Sequence, residues 1–514
     1  MPGAEKRSQR VVVVTGGAIG IGAGIAEACA RRGAFVVTMD PVVALDGSAQ
    51  SGPPEQTTAE RIVAAGGAAR ASSTSVTDED AVRALFTGLV EEFGALDAVV
   101  NVAGISRPTG FATGTEEDWA AVLAVHLDGY LTVLRVALPL MAAAGHGRIL
   151  GVTSGSGWRA ADAGAYSCAK RAVAALTWQV GRAAPLGVTV NALSPIAATR
   201  MVASALSRQA GAGNARGTSA ASGGVALAAA PPPEHLGPIG AYLASEDFAW
   251  CTGNVLFSNG AEVSAVGPPH LLEVLGTTEV ASVGVLVDAA APGVLVPAEA
   301  AQVSTGGSVP RLGVASGAES AAPAVGATAR RCLVITDDPG WRQTIDAALT
   351  ARGVVVTATD ASADGFAGAA AAVDAAATEP LDAVVVALDE TAAAPTGAAP
   401  DWRAILDAHG GITDAIRRDA SWVRAVADLS ARTQRPLRVV TLTGATSAGG
   451  RSRAMSAAQL ARVSRSATKE RVGAFAVAVE SAHATARTNA ATLTAHLVTD
   501  DAALALAGAK LVAT

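Results

Sequence analysis

The chain has 514 residues, half of them hydrophobic but only 4% aromatic, and carries a net charge of −7 at neutral pH. A mildly acidic balance without basic clusters argues against a nucleic-acid partner. The four cysteines, at 29, 168, 251 and 332, have the spacing of neither a metal site nor a disulfide framework, which suits a reducing cytoplasm. Residues 1–10 are polar and the apolar runs read as too short for a bilayer, so a protein without signal peptide or membrane contact is expected.

In chain order, the run 10–14 (Arg-Val-Val-Val-Val) reads as a buried parallel strand, followed by glycines at 16, 20 and 22 and an apolar helical pattern over 25–30. A strand, a tight glycine turn and a helix start form a place where backbone amides and the helix dipole favour a pyrophosphate. Glycine-rich loops are often no more than turns, so the weight comes from the next strand, 34–40, which ends in Asp40. An acid there can bond the ribose hydroxyls of an adenosine. It would also repel a 2′-phosphate, and neither Ala18 nor Ile19 offers a basic partner, so NAD(H) is expected over NADP(H).

A third strand, 96–100, leads into Asn101-Val-Ala-Gly104. Further on, Ser154 stands twelve residues before Tyr166 in Tyr-Ser-Cys-Ala-Lys170. Four residues apart on a helix, Tyr166 and Lys170 share a face, where the ammonium lowers the phenol's pKa toward neutrality and fits it for proton transfer. Tyr-x-x-x-Lys alone is usually solvated helix surface. The ordered set of turn, acid, Asn101 and Ser154 around it is what points to hydride chemistry on a carbonyl or an alcohol.

Over residues 10–265 the chain resembles the short-chain dehydrogenase/reductase family. Thr15 to Gly22 matches its TGxxxGxG turn, Asn101 to Gly104 its NNAG, and Ser154, Tyr166 and Lys170 its catalytic set. The stretches 125–129, 194–201 and 233–238 are similar to the dehydrogenase domain of multifunctional β-oxidation enzymes, which act on 3-hydroxyacyl-CoA or 17-hydroxysteroids. The resemblance implies that Tyr166 is general acid or base, that Ser154 polarises the carbonyl, and that Lys170 tunes the tyrosine and holds the nicotinamide ribose. It also implies a cofactor cradle of Thr15, Gly16, Gly20, Ile21, Gly22 and Asp40. Val76, Asn101, Ala103 and Gly104 extend that cradle, and Pro195, Ile196 and Thr199 join Tyr166 and Lys170 at its nicotinamide end.

Some positions depart from the family pattern. His126 replaces the usual relay asparagine, as it tends to in the multifunctional branch, and reads either as a proton relay or as a packed helix residue. Val102 replaces the second asparagine, Ser75 an aspartate at the adenine, and Ile196 a glycine. The serine-to-tyrosine spacing is one residue short, which leaves Thr153 and Ser156 as alternatives to Ser154. Cys168, between Tyr166 and Lys170, reads as a packing residue.

The length is about twice one such domain, and the second half supplies a repeat. The strand 331–336, helix 341–350 and strand 351–360 repeat the opening. Leu381-Asp-Ala-Val-Val repeats Leu96-Asp-Ala-Val-Val, and Asp401-Trp402 with His409 repeats Asp118-Trp119 with His126. Asp337, Asp338 and Pro339 replace the glycine turn, two carboxylates that oppose a pyrophosphate and a proline that removes an amide. Extending the alignment from the strand 437–443 puts Gly444, Ser456 and Leu460 opposite Ser154, Tyr166 and Lys170. The tyrosines Tyr130, Tyr166 and Tyr242 all lie in the first half.

The expectation is therefore an α/β protein of two Rossmann-like doubly wound parallel sheets: a catalytic domain over 1–286, an Ala/Gly/Pro-rich linker over 287–330, and a degenerate copy over 331–514. The copy is expected to act as a built-in partner in an intramolecular pseudo-dimer, with further homo-oligomers open. Loops over 42–57 and 204–233 are expected to be irregular, the second as a substrate lid. The substrate reads as a small carbonyl or alcohol, a 3-hydroxyacyl thioester or hydroxysteroid. The alternatives are a ketoreductase of polyketide metabolism and a non-catalytic dinucleotide-binding scaffold.

Overall fold

The computed structural model describes residues 9–50, 56–158, 163–201, 203, 230–268, 330–388, 400–482 and 484–513. Most of the expected lid and linker lies outside these residues. In the first half strand and helix alternate: β1 (Val11–Thr15), α1 (Gly20–Arg31), β2 (Phe35–Met39), α2 (Thr58–Ala64), β3 (Ala68–Ser72), α3 (Glu79–Phe93) and β4 (Ala98–Asn101). After them come α4 (Glu116–Leu123), a π turn (Ala124–Asp128), α5 (Gly129–Ala144), β5 (Gly147–Val152), α6 (Gly164–Arg182) and β6 (Val188–Pro195). The half closes with α7 (Gly237–Leu243), β7 (Val255–Ser258) and β8 (Val263–Val266). The strands form one sheet in the order β3-β2-β1-β4-β5-β6-β7-β8, parallel except for the final β7–β8 pair. Helices cover both faces, which is why β1 can be four valines and a threonine with every residue buried. Strand order reverses between β1 and β4, and the crevice beyond their carboxyl ends is where such a sheet takes a ligand.

The second half begins with β9 (Arg331–Ile335), α8 (Pro339–Thr350), β10 (Val355–Thr359), α9 (Gly365–Ala376) and β11 (Ala383–Leu388). Next come α10 (Trp402–Asp407), α11 (Ile412–Thr433), β12 (Leu437–Gly444), α12 (Ala448–Ala467), β13 (Val472–Val479), α13 (Ala484–Thr499) and β14 (Lys510–Ala513). Its sheet runs β10-β9-β11-β12-β13-β14, all parallel. This is the order β2-β1-β4-β5-β6-β7 of the first sheet; among the described residues there is no counterpart of β3, since α9 leads directly into β11, nor of the antiparallel β8. The two Leu-Asp-Ala-Val-Val segments do the same job: Asp97 accepts the amide of Val11 at 2.8 Å, and Asp382 that of Arg331 at 2.9 Å.

Two expectations change here. The helix from Glu116 through Ala144 is continuous across the π turn and is, by length and composition, long enough to cross a bilayer; it is mostly buried inside the protein as a core helix. The ungapped alignment of the second half also fails after β12. The turn leading into α12 is shorter than the one leading into α6, so Ser456 and Leu460 sit further along their helix than Tyr166 and Lys170 do along theirs. Leu460 is core, and the buried Ser456 hydroxyl lies against the thiol of Cys168 in the first half.

The two halves share one core. A continuous apolar cluster runs from Leu127, Leu134 and Val173 to Ile416, Trp422 and Ala457. Helix α6 packs along α12, where the Gln179 amide donates to the Ser452 hydroxyl at 3.0 Å and accepts from Arg451 at 3.1 Å. Trp119 meets the Phe366 ring edge-on at 5.9 Å, and Arg417 donates to Glu116 at 2.7 Å. Arg453 and Asp419, 4% and 2% exposed, form a bidentate pair at 2.7 and 2.9 Å that ties α12 to α11. Breaking such a pair costs about 3–5 kcal/mol.

His409 is buried below the start of α12, its Nδ1 on the Ile405 carbonyl at 2.6 Å and its Nε2 on the Ser452 hydroxyl at 2.8 Å. Burial pushes its pKa down to about 4, and the nearby Arg135 and Arg451 charges act in the same direction.

Two outcomes follow from this packing. A chain truncated after residue 286 bares the apolar faces of α5 and α6, whose large side chains each contribute roughly 1.5–3 kcal/mol when covered. It is expected to self-associate or precipitate in light-scattering chromatography, and a soluble monomer would contradict this. Between pH 6.5 and 4 the unfolded chain holds a proton on residue 409 that the folded chain does not, so wild type loses stability as pH falls while His409→Gln is spared that loss. The Tm advantage of wild type over the variant should shrink by about 3 °C or more from pH 7 to 4.5. A constant difference would show that the imidazole is not held neutral.

Candidate active site

The carboxyl ends of β1 and β4 are stitched by a side chain. Thr15 donates its hydroxyl to Asn101 at 2.8 Å, across the register pair that ends both strands, and accepts the Ala103 amide at 3.1 Å. Gly16 takes φ +63°, and a Cβ there would stand 2.9 Å from the Ala103 backbone. One at Gly22 would overlap the Gly16 carbonyl. Only glycine therefore allows this turn to fold back beneath the first turn of α1. Gly20, also at positive φ, has open space where its Cβ would be, and Ile21 is half-buried in the first turn.

Helix α1 starts from Ile19, which caps nothing, whereas α2, α3 and α4 are capped by Thr57, Asp78 and Thr115. A helix start without a side-chain acceptor, under a glycine cradle, fits the pyrophosphate of a dinucleotide. Asp40, just past β2, accepts the amides of Ala18 at 3.1 Å and Val42 at 2.8 Å, which fixes its carboxylate beside the turn.

At the corresponding place in the second half Asp338 accepts the amides of Gly340 and Trp341 at 2.6 and 3.1 Å. Arg487 pairs with Asp338 at 3.1 Å and stacks on Trp341. A carboxylate of the chain itself thus fills the anion position at the start of α8.

Tyr166 and Lys170 are one turn apart near the start of α6, as expected. The Lys170 ammonium donates to the Val152 carbonyl at 2.7 Å and stands 5.7 Å from the centre of the Tyr166 ring. It is 4% exposed, and burial pushes its pKa down to about 7. Thr153 donates its buried hydroxyl to the Lys170 carbonyl at 2.6 Å, which commits it to structure. Ser154 caps a short 3-10 turn (Gly155–Gly157) by accepting the Ser156 amide at 3.2 Å, so its own O–H can donate to a ligand. This separates Ser154 from Thr153 among the hydroxyl candidates.

His126 lies inside the π turn, a distortion frequent at functional sites. Its ring meets Tyr166 edge-on at 5.0 Å, and its Nε2 lies 2.9 and 3.2 Å from the carbonyl and amide of Ile105. Burial, reinforced by the Lys170 charge, pushes its pKa down to about 3, so it is a neutral imidazole at physiological pH. Its Nδ1 is buried without a hydrogen-bond partner among the described residues. Gly104 is required for this arrangement, since a Cβ there would stand 2.5 Å from the ring.

The remaining expected residues are more peripheral. Val76 points its side chain into the core against Gly129. Pro195 ends β6, and the buried Ile196 spends its amide on the Ser258 carbonyl at 3.0 Å. Thr199 is half-buried, at the edge of the described part of the lid. Cys168 faces the second half, with its thiol pushed up to about 12 by burial, and is no nucleophile. Sequence reading missed Ile105 and Val152, which act through backbone atoms and leave no residue-type signal.

A family model described as short chain dehydrogenase matches residues 10–210. The cis-4-hydroxycyclohexanecarboxylate dehydrogenase of Sinomonas cyclohexanicum is 36% identical, across 50% of this chain and 97% of its own. Hydroxyacyl-CoA dehydrogenase ChsB1 of Mycobacterium tuberculosis is 33% identical, across 51% and 81% respectively. The peroxisomal hydratase-dehydrogenase-epimerase of Saccharomyces cerevisiae is 36% identical over 40% of this chain, a match that spans only 23% of that protein. Among solved structures, the N-domain of a bacterial malonyl-CoA reductase, solved with NADP, covers 99% of this chain and 98% of its own at a TM-score of 0.66 and 16% identity, a likeness of fold alone. With the glycine turn, Ser154, Tyr166 and Lys170 in place, the chain belongs to the short-chain dehydrogenase/reductase family and is an oxidoreductase of CH–OH groups that uses NAD(P).

Proposed function

We propose that the first half interconverts a secondary alcohol and a ketone with NAD(H), and that its substrate is a 3-hydroxyacyl thioester or a hydroxysteroid. The observation that carries the reaction is the Tyr166–Lys170 pair on α6 beside the open O–H of Ser154. When bound, the nicotinamide supplies or accepts the hydride. In reduction Tyr166 donates its phenolic proton to the substrate oxygen while Ser154 donates a hydrogen bond to the same atom; in oxidation the phenolate takes the proton back. Lys170, held by Val152, places a positive charge beside the phenol and favours the phenolate. His126 props the Tyr166 ring from the side, and its unpartnered Nδ1 is the atom that can join a proton relay.

Thr15, Gly16, Gly20, Ile21 and Gly22 would hold the pyrophosphate, Asp40 the adenosine ribose, and Asn101, Ala103 and Gly104 the floor between them. A carboxylate at Asp40 disfavours a 2′-phosphate, and Arg61, which comes near the turn through Thr58, is paired with Glu27 at 3.1 Å. Both features support NAD(H). The substrate class is supported by the mycobacterial relative, which is named as a hydroxyacyl-CoA dehydrogenase.

The second half we read as a degenerate copy of the first that takes the place of a partner subunit. The shared strand order, the twin roles of Asp97 and Asp382, and the packing of α6 on α12 support this reading, and Asp338 supports the loss of its dinucleotide site.

The experiment is a screen of 3-ketoacyl thioesters and ketosteroids for NADH consumption, with Tyr166→Phe beside wild type. Wild type is expected to turn over at least one class, and the variant to lose about 10²–10⁴-fold in kcat while still binding NADH. A variant of undiminished kcat would remove Tyr166 from the chemistry, and a wild type inert to every ketone and alcohol would remove the reading itself.

A further inference from the structure

The serine of the site is steadied from the other half of the chain. Ser154 caps the turn 155–157, and that turn offers two backbone carbonyls to α12. Gln459 donates its amide to the carbonyl of Ser156 at 3.0 Å, and Arg462 donates its guanidinium to the carbonyl of Trp158 at 2.7 Å. The same turn holds the Ser154 hydroxyl through the Ser156 amide at 3.2 Å, and the Gly157 amide returns to the Ser154 carbonyl at 2.9 Å. Met455, one turn before Gln459 on the same helix, packs with Trp158 and Trp178 and closes the apolar side of the contact.

A second anchor reaches the loop on the opposite side of Tyr166. From α11, Arg424 donates to the carbonyls of Gly114 and of Ala112, the latter at 2.9 Å, while its guanidinium stacks on Phe366 at 4.7 Å. That loop is tied to the start of α6 by the Thr109 hydroxyl, which donates to the Ala163 carbonyl at 3.1 Å, and Ala163 in turn accepts the Tyr166 amide at 3.1 Å. Two loops that frame the catalytic pair therefore receive side-chain donors from the second half, and every acceptor is a backbone carbonyl. Such bonds fix the path of the chain whatever side chains it carries. An error of an ångström in a positioned group costs on the order of 100-fold in rate.

We propose that Arg462 and Gln459 are positioning residues for the oxidoreductase reaction: through the carbonyls of Ser156 and Trp158 they set the orientation of the Ser154 hydroxyl, and the second half thereby completes a site in the first. The catalytic part of this inference rests on the proposed role of Ser154; the anchoring part stands without it.

The test uses the full chain with Arg462→Ala and Gln459→Ala combined, Arg462→Lys alone, and Arg424→Ala as a separate perturbation of the other loop. Two readouts are taken: hydrogen exchange of the amides over 155–158 against those of β1, and steady-state kinetics alongside NADH affinity. In the double variant exchange over 155–158 accelerates while β1 is unchanged, and kcat falls about tenfold or more at unaltered NADH affinity. Arg462→Lys, which keeps a cationic donor group, recovers part of both. Unchanged exchange overturns the anchor. Faster exchange with undiminished kcat overturns the positioning role, as does a kcat loss matched by equal loss of NADH affinity and faster exchange in β1, which would mean general destabilisation. If wild type turns over no ketone or alcohol, the functional reading falls by itself and the exchange data still decide the anchor.

Discussion

Everything about the site depends on how α6 is held. One face of this helix carries Tyr166 against His126 and Lys170 onto the carbonyl that ends β5, and another is pressed against α12 of the second half. Nine of its fifteen buried positions are glycine, alanine, serine or cysteine. Small side chains let the helix approach its neighbours closely, and close approach lets the Lys170 ammonium be taken out of water and bonded to the carbonyl that ends β5. A lysine so buried cannot wander as a solvated one does. The cost is desolvation, visible in its lowered pKa.

The two helix starts that follow the two central strands show how one architecture is opened or closed by a few atoms. In the first half α1 begins with an uncapped residue above a glycine turn, so its amides stay available to an anion. In the second, Asp338 supplies the anion from within, and Arg487 neutralises it. The sheet, the strand order and even the aspartate that bonds the first strand are common to both. The two halves differ at these turns, whereas their buried strands answer to packing.

The sequence was legible where function is local. Glycines at fixed spacing, an acid at a strand end, and a tyrosine and lysine one helical turn apart stand within short segments; the structure bonds Asp40 to the turn after β1 and Lys170 to the carbonyl that ends β5. Asp97 and Asp382 were visible as repeats, though not as hydrogen-bond acceptors. The sequence was silent where a donor meets a backbone carbonyl some three hundred residues away, as Arg462, Gln459 and Arg424 do, because a carbonyl has no residue type. It misled at α12, where a shortened turn shifted the frame and set Ser456 opposite Tyr166, and at the helix from Glu116 to Ala144, whose unbroken length was hidden by reading its pieces separately.

The central claim is that the chain has one dinucleotide site, in the first half, shaped for NAD(H) by Asp40 and closed in the second by Asp338. A fluorescence titration of the full chain with NADH and with NADPH, fitted for stoichiometry, tests it most directly. The account predicts one NADH per chain and at least about tenfold weaker binding of NADPH, a difference of about 1.4 kcal/mol. Two sites per chain, equal affinity for the two cofactors, or no binding of either would contradict it.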